Sequence, residues 1–442
     1  MEQREKFSHS VTLDVSKCKG CTTCIRHCPT EAIRVRGGKA RITTERCIDC
    51  GECIRVCPHK AKLAVFDKWE EVQNRFAYKI ALPAPTLYGQ FNNLDDIDYI
   101  LTGLRHMGFD SVFEVSRTAE IISDYTRKLI QTGGLVTPVI SSACPAAVRL
   151  IRLRFPHLCE HVLPIRSPMH LAASLARHEA MERTGLRSDQ IGVFFLSPCP
   201  AKMTDVKTPL GFEYTDVDCV LSIADIYKEL LKHMNKLTSP ELLSRSGILG
   251  IGWATSGGES AALLEEKYLA ADGIEHVIKV LEELEDEKLR DLDFIELNAC
   301  PGGCVGGAST VENPFVAKAR IQMLRKYLPV SRNKFTEKDM NDQAMDWFFP
   351  LKYIPDAPLA EDMAAAMEKL RRIETIAEDF PGLDCGACGA PSCHALAEDI
   401  VRGFSSQTDC LFILKQRLES LLPALMGDSA VQAKEEAHDD RS

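Results

Sequence analysis

Three short segments of this chain hold thiols in settings suited to a metal centre. Glu296-Leu-Asn-Ala-Cys300-Pro-Gly-Gly-Cys304-Val-Gly-Gly307 places two of them in a glycine-rich loop behind an apolar run. Small residues there let backbone N–H groups approach sulfide or another anionic ligand, which bulky side chains would keep away. Two thiolates do not complete an iron–sulfur cluster, so this loop requires two more from elsewhere. Ser141-Ser-Ala-Cys144-Pro145 and Ser197-Pro-Cys199-Pro-Ala-Lys202 offer them.

Upstream, the run Cys18, Cys21, Cys24, Cys28-Pro29 returns with the same spacing as Cys47, Cys50, Cys53, Cys57-Pro58. The repeat resembles the two-cluster ferredoxin pattern, in which three cysteines of each run hold one 4Fe–4S cluster and the fourth crosses to the other. That pattern assigns Cys18, Cys21, Cys24 and Cys57 to one cluster, and Cys47, Cys50, Cys53 and Cys28 to its neighbour. A zinc site or a disulfide framework requires neither the repeated spacing nor the prolines that follow. Near the other end, Cys385, Cys388, Cys393 and Cys410 are similar to a small 4Fe–4S module of electron-transfer and corrinoid-linked proteins. Tetrahedral zinc would accept the same four thiolates. Cys159 and Cys219 fit no set and read as buried thiols.

Composition narrows the class. The chain has 442 residues, 45% of them hydrophobic, enough for more than one packed core. Eighteen cysteines in metal-ligand spacings and a charged Met1-Glu-Gln-Arg-Glu-Lys start without an apolar stretch behind it predict a reducing, cytoplasmic setting. No apolar run approaches the roughly 20 residues that cross a bilayer. A net charge of −10 argues against a nucleic-acid surface, which needs clustered Lys and Arg.

Positioning these thiols requires regular elements. From Lys79 onward, short apolar runs alternate with amphipathic stretches, which predicts an α/β domain with parallel sheets flanked by helices. Strands are predicted over 112–115, 136–140, 192–196, 219–222 and 294–297, and helices over 94–107, 224–234, 259–270 and 315–327. Ligands of open α/β sheets gather beyond the carboxyl ends of the strands, and Cys144, Cys199 and Cys300 each follow one. The chain thus divides into a two-cluster ferredoxin-like α+β domain (1–78), a central domain (79–332), a linker (333–358), a small helical iron–sulfur domain (359–426) and an acidic, disordered tail (427–442). The linker carries Trp347-Phe-Phe-Pro350 and Pro355-x-x-Pro358, and a helix over 359–379 opens the last domain. Clusters are expected on both sides of the central domain.

The three cysteine loops resemble the signature segments of FeFe hydrogenases, and the ferredoxin repeat resembles that family's usual accessory domain. The likeness covers roughly 81–327. It implies that Cys144, Cys199, Cys300 and Cys304 bind a 4Fe–4S cluster, with the Cys304 sulfur bridging to a di-iron subsite that carries CO, cyanide and an azadithiolate. This is the H-cluster, and three accessory 4Fe–4S clusters would feed it. Lys202 matches the family lysine that contacts one cyanide, a role for a point-charge donor. Ala84-Pro85-Thr86 resembles the loop that donates hydrogen bonds to the other cyanide, and Ala254-Thr-Ser-Gly-Gly258-Glu259 the glycine turn that opens a helix beside the cluster. Implied partners are H2 and protons, an electron carrier such as ferredoxin or a signalling protein, and maturation proteins for the di-iron site. No nucleic acid or membrane is implied.

Departures from the family pattern shape the expectation. Ala143 stands where fast hydrogenases have a proton-passing cysteine, and a methyl group carries no proton. Ile122-Ser-Asp-Tyr125 stands where an upstream glutamate pair is expected, Ser197 and Asn298 replace two methionines, and Gly306-Gly-Ala-Ser-Thr310 replaces a Gly-Gly-Gly-Gln-Pro segment. Such changes alter polarity and access around a cluster. The set resembles the sensory hydrogenases, with slow turnover, although no stretch is long enough for a PAS domain. The alternatives are a hydrogenase-derived iron–sulfur assembly or scaffold protein lacking the di-iron unit, and an ordinary hydrogenase with a substitute proton route. Glu259 and Glu296 could carry protons or cap a helix, and Glu259 at its helix start reads as the cap. His170 and His178 receive no role.

Overall fold

Ile191–Ser197 reads Ile-Gly-Val-Phe-Phe-Leu-Ser, and a strand so apolar must be covered on both faces. In the computed structural model, which describes residues 9–336, 345–354 and 359–426, it is fully buried. It pairs in parallel with Tyr78–Pro83 on one side and Cys219–Ser222 on the other, and Ser111–Val112 adds the outer strand beside Tyr78–Pro83. One face is covered by the helices Asp98–Met107 and Ile223–Met234, whose Leu101, Leu104 and Leu230 pack with Phe194 and Leu196. The other face takes Ala172, Ala173 and Ala176 of helix Pro168–Thr184 against Val193, Phe195 and Val220. Each large aliphatic side chain buried there contributes about 1.5–3 kcal/mol.

A second parallel sheet runs in the order Tyr268–Asp272, Phe294–Asn298, Val139–Ile140. Helices Pro145–Arg154 and Ile274–Glu285 cover one face through Ala147, Ile151, Val277 and Leu281. Ile122 and Tyr125, from helix Val115–Thr132, lie with Phe294 and Val139 on the other face. The α/β reading of the central part therefore holds, with seven strands in two sheets rather than the five expected.

Four predicted elements are corrected: the strand expected over 136–140 is confined to Val139–Ile140, the helix expected over 94–107 starts at Asp98, and two others change more. The strand expected over 112–115 ends at Val112, and Val115 already opens a helix, because the Phe113 side chain turns into the core and Glu114 leads the chain into that helix. The helix expected over 259–270 spans only Gly258–Leu263, and Leu264 at φ +56° ends it. The residues after it form the strand Tyr268–Asp272, since pairing along Phe294–Asn298 outweighs the helical preference of Leu269-Ala-Ala271. Tyr78–Pro83 and the helices Val115–Thr132, Pro145–Arg154 and Ile274–Glu285 are additions to the predicted elements.

The N-terminal part is built from two antiparallel strand pairs, Val11–Leu13 with Lys62–Ala64 and Ile33–Arg36 with Lys39–Ile42. Two one-turn helices, Thr23–Arg26 and Glu52–Arg55, lie within the cysteine runs and carry Cys24 and Cys53. The C-terminal part has helices Met363–Glu378, Cys393–Val401 and Leu411–Met426 around Ile373, Phe380, Leu396 and Cys410. Of the linker, Trp347 lies against Gly211 and its N–H donates to the Pro164 carbonyl at 2.8 Å. Pro355-x-x-Pro358 and the tail at 427–442 lie outside the described residues.

The C-terminal part does not sit on the far side of the central domain, which corrects the expectation of clusters on both sides. It packs on the N-terminal part. Arg34 Nε and Arg36 Nη2 reach Asp399 at 2.8 and 2.6 Å, Arg46 reaches Glu398 at 2.7 Å, and the Val35 N–H donates to the Gly389 carbonyl at 2.8 Å. Asp399 is only 9% exposed, and a carboxylate so far from water needs cationic partners of this kind.

Candidate iron–sulfur and catalytic centre

Each ligand loop begins where a buried strand ends. Cys199 follows Ile191–Ser197, and its N–H donates to Ser197 Oγ at 3.2 Å, which pins the turn. Cys144 follows Val139–Ile140. Both precede a proline that opens a helix, so their thiols lie at helix N-termini, where the backbone favours negative charge. Cys300 follows Phe294–Asn298, and Cys304 closes the same loop.

Glycine is what lets the loops touch. Gly303 has φ +92°, and a Cβ on it would lie 2.4 Å from Ser256 N. One on Gly307 would lie 2.3 Å from the Pro198 carbonyl oxygen. Side chains at these two positions would push the Cys304 loop away from the Thr255 turn and from the Cys199 loop.

Cys144, Cys199, Cys300 and Cys304 line one cavity of about 100 Å³, together with Pro85, Thr86, Ala143 and Lys202. Burial and the neighbouring thiols push Cys199 up to about 12, and burial raises Cys300 and Cys304 as well. A cationic metal centre in the cavity would stabilise these thiols as thiolates. Thr86 Oγ1 is buried with no hydrogen-bond partner among the described residues. Four thiols, an ammonium group and an unpartnered hydroxyl around one cavity fit an iron–sulfur centre with anionic ligands.

Lys202 is held from behind. Its Nζ donates to Ser167 Oγ at 3.2 Å and lies 3.9 Å from Asp205, whose carboxylate accepts from His170 Nε2 at 3.0 Å. Burial lowers the His170 imidazole, while His170, Lys202 and Arg149 together outweigh burial and keep the Asp205 carboxyl below its usual range. His170, given no role from the sequence, thus positions Lys202 through Asp205. Its only sequence signal would have been Asp205 three residues after Lys202 on one helix. His178 is exposed and pairs with Glu182.

The helix cap expected of Glu259 is supplied by Glu296 instead. Glu296 is the one that meets the helix start, accepting from Gly257 N at 3.0 Å and Ser260 N at 2.9 Å, with Asn298 Nδ2 at 2.7 Å. Glu259 instead accepts from Ser141 Oγ at 2.6 Å, and Ser141 Oγ accepts in turn from the Ala143 N–H at 3.1 Å. Burial and the adjacent Glu296 push the Glu259 carboxyl up to about 8. Both carboxyl groups line the cavity.

Twelve of the fourteen remaining cysteines gather in three further cavities. Cys18, Cys21, Cys24 and Cys57 line one, Cys28, Cys47, Cys50 and Cys53 another, and Cys385, Cys388, Cys393 and Cys410 the third. Cys219 is buried, whereas Cys159 is only partly so, a correction to its reading as a buried thiol. The sets form a series: the Cys388-Gly389 turn rests on Val35, which lines the first cavity, and Cys50 packs in the apolar cluster that also holds Cys144 and Cys199.

Among known proteins, the iron-only hydrogenase large subunit, C-terminal domain family matches residues 78–267 and 256–308. A 4Fe-4S dicluster domain matches 10–58, and an Fe-S cluster family matches 380–412. The chain is 26% identical over 372 residues to a periplasmic [Fe] hydrogenase large subunit of Nitratidesulfovibrio vulgaris, covering 70% of this chain and 88% of that one. It is 24% identical over 384 residues to iron hydrogenase 1 of Clostridium pasteurianum, covering 71% and 67%. A cytosolic Fe-S cluster assembly factor NAR1 homolog of Schizosaccharomyces japonicus is 30% identical over 100 residues, covering 22% and 19%. Among the described residues no helix is long and apolar enough to cross a membrane. With the hydrogenase model matching residues 78–308, more than half of the chain, and both flanking cysteine-rich parts matched as iron–sulfur segments, the chain is a member of the iron-only hydrogenase family with iron–sulfur cofactors.

Proposed function

We propose that this chain is an FeFe hydrogenase of the sensory kind, interconverting hydrogen with protons and electrons at low turnover in the cytoplasm. The observation that carries the reading is Lys202 and the unpartnered Thr86 hydroxyl lining the cavity of Cys144, Cys199, Cys300 and Cys304. Cyanide ligands would satisfy the Thr86 hydroxyl and the Lys202 N–H groups not engaged by Ser167 and Asp205, whereas a scaffold holding only a 4Fe–4S cluster leaves the buried Thr86 hydroxyl without a partner. That consideration favours an enzyme over the assembly function of the more distant relatives.

In this reading the four cysteines hold the H-cluster, which when bound supplies an open iron and a nearby amine for heterolytic cleavage of hydrogen. Lys202, held by Ser167 and Asp205, donates to an anionic ligand, and Pro85-Thr86 shapes the opposite wall. Glu259 and Ser141 move protons. A carboxyl raised to about 8 can both accept and release a proton near neutral pH, and the Ser141 hydroxyl extends it toward Ala143. The Cys385 set, the Cys18 set and the Cys47 set would hold accessory 4Fe–4S clusters, which when bound would supply an electron relay to the catalytic centre, with the Cys385 set at the outer end. A soluble electron carrier or a signalling protein would meet that end, and maturation proteins would deliver the di-iron unit.

Infrared spectroscopy of protein matured with the di-iron complex tests the reading, because CO and cyanide stretches have no counterpart in protein. Bands in that region are expected, and a blank spectrum from iron-replete protein would instead favour the scaffold. A second expectation concerns Ala143. Ala143→Cys is expected to raise hydrogen evolution severalfold but not to the rate of fast hydrogenases, since Ile122-Ser-Asp-Tyr125 still lacks the upstream glutamates. Wild-type turnover already equal to theirs would sink the low-activity reading.

A further inference from the structure

We infer that Arg55 is a positioning residue that raises the reduction potential of the catalytic 4Fe–4S centre, by placing one cation between that centre and the nearest accessory cluster. Arg55 ends the one-turn helix Glu52–Arg55, two residues after Cys53. Its Nη1 lies 3.6 Å from Cys300 Sγ and 3.4 Å from the Gly306 carbonyl oxygen, while Nη2 lies 3.3 Å from the Cys50 carbonyl oxygen. One guanidinium therefore touches the loop of an accessory ligand, the sulfur of a catalytic ligand and the backbone just past Cys304. Glu52 Oε2 grips the outer edge, accepting from Nε at 3.0 Å and Nη2 at 2.8 Å, which turns Nη1 inward. The Arg55 side chain is 19% exposed, so water screens its charge incompletely.

The physical consequence follows from charge. Reduction of the catalytic centre adds one electron, taken from the accessory cluster that is oxidised in the same step, and no atoms are exchanged. An N–H donor on a ligand sulfur and a nearby positive charge both stabilise the more negative, reduced state. Glu52 opposes this by neutralising part of the same cation. The two residues should therefore move the potential in opposite directions, a signature that mere structural damage does not produce.

The inference rests on the proposed 4Fe–4S centre at Cys144, Cys199, Cys300 and Cys304. The test is an EPR-monitored redox titration of the full chain carrying its iron–sulfur clusters but not the di-iron unit, with the catalytic signal identified by its loss in Cys199→Ala. Arg55→Gln is expected to shift that midpoint downward and Glu52→Gln upward, with the Cys385 set unmoved. If no signal disappears in Cys199→Ala, the centre itself and this inference both fall. If the signal exists but its midpoint stays fixed in Arg55→Gln, or both variants shift it the same way, the inference alone is overturned. Should Arg55→Gln fail to hold its clusters, Glu52→Gln decides: a rise supports the role, and no change or a fall refutes it.

Discussion

Cys304→Ala is expected to erase every CO and cyanide band from the infrared spectrum of matured protein and to reduce hydrogen turnover to background. Of the four cysteines around the cavity, Cys304 is the one whose sulfur would be shared between the 4Fe–4S centre and the di-iron unit. Its place is set by glycines on both sides, with Gly303 against Ser256 and Gly307 against Pro198, so no other thiol can move in to replace it. Alanine is smaller and adds no strain, and the buried Val305 beside it remains in the core. The accessory clusters should therefore stay loaded, giving an internal control in the same sample. A normal infrared spectrum from Cys304→Ala would remove the bridging assignment.

Glu259→Gln should lower turnover by about 10²–10⁴-fold, the usual contribution of a positioned proton-transfer group, while leaving the infrared bands in place. Glutamine keeps the shape and can still pair with Ser141 Oγ, but it cannot take up and release a proton. The pH dependence has a definite sign. Burial and Glu296 raise the Glu259 carboxyl from 4.5 to about 8, so the folded state holds a proton that the unfolded state releases. The stability tied to that proton is full below about 4.5 and is lost as pH rises through about 8. Thermal unfolding of protein without the di-iron unit, followed across that interval, should show this decline in wild type and a flatter profile in Glu259→Gln. Identical pH profiles, or unchanged turnover in the variant, would remove Glu259 from the proton route.

The cysteine sets were legible in the sequence because ligand spacing is a local, covalent property. Two thiols separated by two residues remain neighbours in space whatever the rest of the chain does, and a repeated spacing is hard to read otherwise. Strands such as Cys219–Ser222 were equally legible, since a short apolar run bounded by turn residues has few other places to go. The strand Tyr268–Asp272 was not, because Leu269-Ala-Ala271 favours a helix and only its partner Phe294–Asn298, more than twenty residues on, makes it a strand.

The tertiary structure alone decided how the parts meet. Arg34 and Asp399 are 365 residues apart, and nothing in either neighbourhood announces that the C-terminal part docks on the N-terminal one. The same holds for Arg55 at Cys300, 245 residues away, and for the support of Lys202 by His170 through Asp205. Glu259 and Glu296 were visible as carboxylates near the site, but which one meets the helix start and which one faces Ser141 depended on how the Gly257 turn lies over the Phe294–Asn298 strand. Ligand type and spacing are written along the chain, whereas the charge around a metal centre, and the water kept from it, arise only when distant segments are packed together.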